Sequence, residues 1–255
     1  MTEDVFDGRL IELTEDMIAT WRAAPSPPPV DLPDISRASL SDAGAAAVVW
    51  GWTARVMRMA ECALLLHRSG FDLELAPILR SILEHAIALP WVADKRGRAY
   101  QTLARERAGG WSRFEKAQSQ VWTLEGEAAA LLKSASNVET DADTYSENTL
   151  LNTLHRAQAY DLGPLYQAWL LETWSTHATL ISAEPFFELD GSTYKGTLFR
   201  NGRPEPPGYR ISGGIVIAVH TSLVNYEKLH PEAFPGRLKE WETTFERIMT
   251  DIKAG

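Results

Sequence analysis

The sequence predicts an all-α fold, a multi-helix bundle with a small β-hairpin insert near residues 186–199. Apolar residues recur at spacings of three and four over most of the chain, which is the period of a half-buried helix. One stretch, Phe71 to Trp91 (FDLELAPILRSILEHAIALPW), is apolar on nearly every side, so it belongs at the centre of a bundle with neighbours all round. Nine tryptophans in 255 residues, within 45% hydrophobic content, supply enough bulk for a sizeable core closed by aromatic wedges.

Taken in order, residues 1–23 place Phe6, Leu10, Leu13, Met17 and Trp21 on one face of an amphipathic helix, with Glu3, Asp4 and Asp7 near the positive end of its dipole. That face should dock on the body of the protein or on a second copy. Residues 24–38 hold PSPPPVDLP, a stiff Pro-rich linker. From residue 39 to 255 we expect a single helical domain carrying the hairpin insert. Its first helix is capped by Ser39 or Ser41 and stops at Gly70. Asp72 can cap the central helix, with Pro77 in its first turn or at a kink. Arg96 to Ser134 reads as a more polar helix interrupted at Gly109-Gly110, with Trp111, Phe114, Val121, Trp122 and Leu124 inside. Asn137 to Asn148 is acidic and loop-like. Helices follow over Glu147 to Tyr160 and from Pro164 to about Ile181, and again over Ile211 to Leu229 and Arg237 to Ile252. Between them, β-formers flank Asp190-Gly191, a dipeptide suited to a tight hairpin turn.

A net charge of −9 argues against nucleic-acid or anionic-membrane binding by the overall field, although Arg96, Arg98, Arg105, Arg107 and Arg113 form a local basic run. The acidic start MTEDVFDG does not read as a secretion signal, and the longest apolar run, Ala43 to Trp52, is too short to span a membrane. A single cysteine, Cys62, leaves no internal disulfide and fits a reducing compartment. We therefore expect a cytoplasmic protein with no membrane partner. Cys62 lies among apolar neighbours and reads as a structural, unreactive thiol.

CxxC pairs, HExxH, GxxxxGK[ST], GxSxG and paired ExxH motifs are all absent, so no metal and no cofactor is expected. What remains is polarity in an oily helix. Arg80, Glu84 and His85 lie in the central stretch, and Glu61 and His177 lie in neighbouring apolar helices. Charged groups in such places need partners or a purpose. One outcome is a buried network in which all five satisfy one another. Another is a small-molecule pocket walled by Trp50, Trp52, Trp91, Trp169 or Trp174, with Tyr166 nearby.

The segment RSILEH, Arg80 to His85, resembles the R-x4-6-H motif of HEPN (higher eukaryotes and prokaryotes nucleotide-binding) helical domains. The wider pattern of LLLHRSGFDLELAPILRSILEHAIALPW, Tyr166 and STHAT (Ser175 to Thr179) is similar to a bacterial helical family of unknown function. The HEPN resemblance implies a homodimer and metal-independent RNA cleavage or RNA binding of a bacterial defence or toxin type. Arg80 would hold phosphate through its planar fork and His85 would move protons. On a regular helix those two side chains point about 140° apart, so they converge across a dimer or at a distorted turn. Arg80 and Glu84, four apart, share a face. The alternative from another class is a non-catalytic helical binding or scaffold protein whose polar cluster is architectural.

Overall fold

The central stretch does become the central helix, and the other elements are placed by how they pack on it. The computed structural model describes residues 3–25, 36–121, 125–127, 129–130, 142–178, 183, 187–189, 197–199 and 211–254. Its helices are α1 (Glu3–Ala23), α2 (Arg37–Arg68), α3 (Ala76–Lys95), α4 (Gly97–Val121), a 3-10 helix η1 (Ala142–Leu151), α5 (Thr153–Ala159), α6 (Gly163–Thr176), α7 (Ile211–Glu227) and α8 (Arg237–Ala254). Among the described residues the architecture is an all-α bundle, and no helix is long and apolar enough to cross a membrane.

Helix α3 packs against α2, α6 and α7, with α4 and α5 touching it as well. Its two halves differ. From Ala86 to Ala93 every residue is buried, Pro90 included. In the first half Leu79, Ile82 and Leu83 are buried, but Pro77, Arg80, Ser81, Glu84 and His85 are not. Those five fall at the i, i+3, i+4, i+7, i+8 spacing of a single stripe. The oily rod therefore carries one polar stripe along its opening turns.

Local chemistry explains the boundaries. Ser36, rather than Ser39 or Ser41, caps α2: its backbone is extended and its hydroxyl accepts the Ser39 amide at 3.3 Å. Gly70 follows with φ 72, the left-handed position at which helices commonly stop. Pro77 occupies the first turn of α3, where a missing amide costs nothing. Asp72 does not cap that helix. It turns back to His67 instead. Helix α4 runs unbroken through Gly109-Gly110, and its buried face is Ala99, Thr102 and Ala108. Trp111 and Phe114, expected inside, are about 40% exposed and meet edge to face. Part of the acidic segment expected as a loop belongs to η1.

Helices α2 and α4 approach closely at Gly44, where an added Cβ would stand 2.5 Å from the Tyr100 ring. The N-terminal helix α1 docks on α7 and α8, burying Phe6, Leu10, Leu13 and Met17. The Pro-rich stretch lies largely outside the described residues. Of the expected hairpin, Phe187–Leu189 (β1) and Thr197–Phe199 (β2) pair antiparallel, with Leu189 opposite Thr197. A two-residue Asp190-Gly191 turn would place Leu189 opposite Ser192, so the insert is not supported in the form expected. The residues joining the two segments lie outside the described ones.

Candidate functional site

The polar stripe of α3 collects three of the residues that the sequence singles out, Arg80, Glu84 and His85. Arg80 stands at one edge. Its Nε donates to Thr173 Oγ1 at 3.1 Å, its guanidinium lies 5.3 Å from the centre of the Trp169 ring, and Nη1 is 3.7 Å from Glu84. The Thr173 hydroxyl in turn donates to the Trp169 carbonyl at 2.7 Å. Trp169 is stacked with Tyr166, ring centres 5.6 Å apart. Arg80 is thus fastened to α6 by a hydrogen bond and an aromatic face, with Glu84 as a longer-range counter-charge.

His85 stands at the other edge and faces α2. Its Nδ1 lies 2.7 Å from the Ser81 carbonyl one turn back, a contact in which the ring nitrogen donates. The ring meets Trp52 edge to face at 5.6 Å. Burial pushes its pKa down, and the positive fields of Arg55 and Arg156 add to that; the Ser81 hydrogen bond and Glu84 work the other way without prevailing. The neutral ring, with its proton on Nδ1, leaves Nε2 as a proton acceptor. The stripe thus puts Arg80 and His85 at opposite edges with Glu84 between them, and within one chain they reach toward different helices.

Arg55 and Arg156 are the functional candidates that sequence reasoning missed. Arg55 is exposed on α2, one turn beyond Trp52. Arg156 is 7% exposed on α5, and only Glu84 raises its pKa against the lowering by burial. Helix α5 is too short to show a helical period, so nothing in the sequence marked Arg156 as an inward-facing cation.

Other expected members lie elsewhere. Glu61 pairs with Arg22 of α1 across the α1–α2 surface. His177 is exposed at the end of α6, and Trp174, close by, is 49% exposed. The five-member network of Glu61, Arg80, Glu84, His85 and His177 therefore reduces to Arg80 with Glu84, and His85 beside them. The tryptophans do not wall one pocket either: Trp91 is in the core with its indole donating to Glu147, while Trp50 is 41% exposed on α2. One apolar cavity of about 250 Å³ lies between α1, α7 and α8, against Met17, Val216 and Trp241, away from the stripe. Cys62, expected inside, is exposed.

The chain matches no protein-family model, no curated protein and no solved structure.

Proposed function

We propose that this chain is an HEPN-like RNA-cleaving or RNA-binding protein of the bacterial defence or toxin type, acting as a homodimer without a metal, with His85 as the proton-transfer group. The observation that supports it is the state of His85, a ring kept neutral by burial and fixed by Ser81, its acceptor nitrogen without a hydrogen-bond partner among the described residues, beside cationic Arg55. Such an imidazole can take the proton of a ribose 2′-hydroxyl as the oxygen attacks the neighbouring phosphorus. The 5′-oxygen then leaves and must receive a proton. The imidazolium so formed at His85 returns that proton to it, and Arg55 would offset charge on the phosphate.

The test is direct. Wild type and His85→Ala are first matched for melting temperature and then incubated with single-stranded RNA in EDTA. Cleavage by wild type, falling at least about a hundredfold in the variant, is the expected result. RNA left intact by both proteins removes the catalytic reading. A second reading, a non-catalytic helical scaffold, is favoured by the way Thr173, Trp169 and Glu84 hold Arg80. Under it, Arg80→Ala lowers stability by about 1–3 kcal/mol and neither protein cleaves RNA.

A further inference from the structure

Arg156 is a buried cation with little to answer it. It is 7% exposed, Nη2 donates to Thr153 Oγ1 at 3.1 Å, and the buried Nε has no hydrogen-bond partner among the described residues. No carboxylate among the described residues lies within ion-pair distance of it. Glu84 is the carboxylate whose field reaches it, yet that group leans toward Arg80 and is 41% exposed. A guanidinium taken out of water without a counter-charge is unfavourable unless a ligand supplies one. The same neighbourhood holds a second cation, Arg55, and a ring, His85, that carries no charge to set against an anion.

We propose that Arg156, with Arg55 at its rim, is the base of a binding site for a phosphate-class oxyanion between α5 and the polar stripe of α3. Phosphate suits the site for two reasons. A planar guanidinium pairs with two oxygens of one tetrahedral anion, which chloride cannot offer, and two guanidiniums balance a doubly charged group. Glu84, the acidic neighbour, competes with the ligand and keeps the site weak for singly charged anions. The site does not depend on RNA cleavage. Oxyanion binding can be present in a chain that leaves RNA intact.

The experiment is thermal unfolding of the full chain in inorganic phosphate against chloride at equal ionic strength, for wild type and Arg156→Met. Wild type should rise by about 3–6 °C at roughly ten times Kd, with no rise in chloride. Arg156→Met should lose the phosphate response while melting, in chloride, no lower than wild type, because an apolar side chain of similar length replaces an unanswered charge. His85→Ala should keep the response, which separates this site from the proposed cleavage. A tetranucleotide with and without a 5′-phosphate then separates an RNA end from free phosphate: tighter binding of the phosphorylated form assigns the former, equal binding the latter. The proposal falls if phosphate shifts wild type no more than chloride does, or if Arg156→Met responds as wild type does. Should the Met variant fail to fold, Arg156→Lys keeps the charge without the fork, and an undiminished response in it is equally fatal.

Discussion

Two histidines on the same bundle live under opposite rules. His67, at the end of α2, has Asp72 Oδ1 at 2.5 Å on one nitrogen and Asp7 Oδ2 at 2.8 Å on the other, while Ser212 of α7 donates to the same Asp7. Burial works to lower its pKa, but the hydrogen bonds and fields of Asp72 and Asp7 outweigh it and the pKa is raised. There every charge is answered, and α1, α2, the turn before α3 and α7 are joined at one point. Around His85 the ring is uncharged and the nearby Arg156 lacks a carboxylate partner among the described residues. Answered charge marks a joint that holds the fold together. Unanswered charge, in the same bundle, marks a place where something outside the chain is expected.

The comparison can be broken at its shared support. Trp91→Ala empties the buried centre of α3 and strips Glu147 of its indole donor, so it should cost about 3–5 kcal/mol in a denaturant melt. Both histidine sites should fail together, and survival of either alone would show that α3 does not couple them. Next in size, Asp72→Ala should cost about 1–2 kcal/mol, since it leaves a half-buried imidazolium with one partner. Arg156→Met should cost nothing, and that contrast is the sharpest measure of the difference between the two corners.

A pH series then separates the histidines by sign. For His67 the folded pKa is raised, so its contribution is complete below the ordinary value near 6.5 and is lost as pH rises through the folded one. The advantage of wild type over His67→Gln in urea melts should therefore be greater at pH 5.5 than at pH 8. For His85 the folded pKa is lowered, so its contribution is complete above about 6.5 and is lost on acidification, and the advantage over His85→Gln should shrink from pH 8 to pH 5.5. Parallel slopes for the two variants would dissolve the distinction. The smallest effect belongs to Glu61→Ala. It breaks a surface pair with Arg22, whose side chain is 67% exposed, and should change stability by less than about 0.5 kcal/mol.

Where the sequence carried a long period and a local stop signal, the fold could be read from it. Helix α1 has the expected bounds, α2 ends beside Gly70, and the central position of α3 followed from its apolar run. Legibility failed where neighbours decide. The setting of Cys62 and Glu61 in an apolar stretch of sequence says nothing about which face of α2 they occupy, and both turned out to face outward or toward α1. The acidic residues ahead of Glu147 gave no helical period, and Glu147, expected at the start of the next helix, is instead buried within η1 by the indole of Trp91, a partner far away in sequence. At the candidate site, Arg80, Glu84 and His85 were visible as polar breaks in an apolar run. That they flank one stripe, with Arg80 fastened to α6 and His85 turned to α2, depends on packing that no spacing rule contains.

The close approach at Gly44 has an evolutionary corollary. Because the Tyr100 ring fills the space a methyl group would need, the two positions cannot vary independently. Lineages that acquire a larger residue at 44 should carry a smaller one at 100, and Gly44→Ala combined with Tyr100→Ala should fold better than Gly44→Ala alone. That pair offers a marker for recognising distant kin whose overall sequence has drifted.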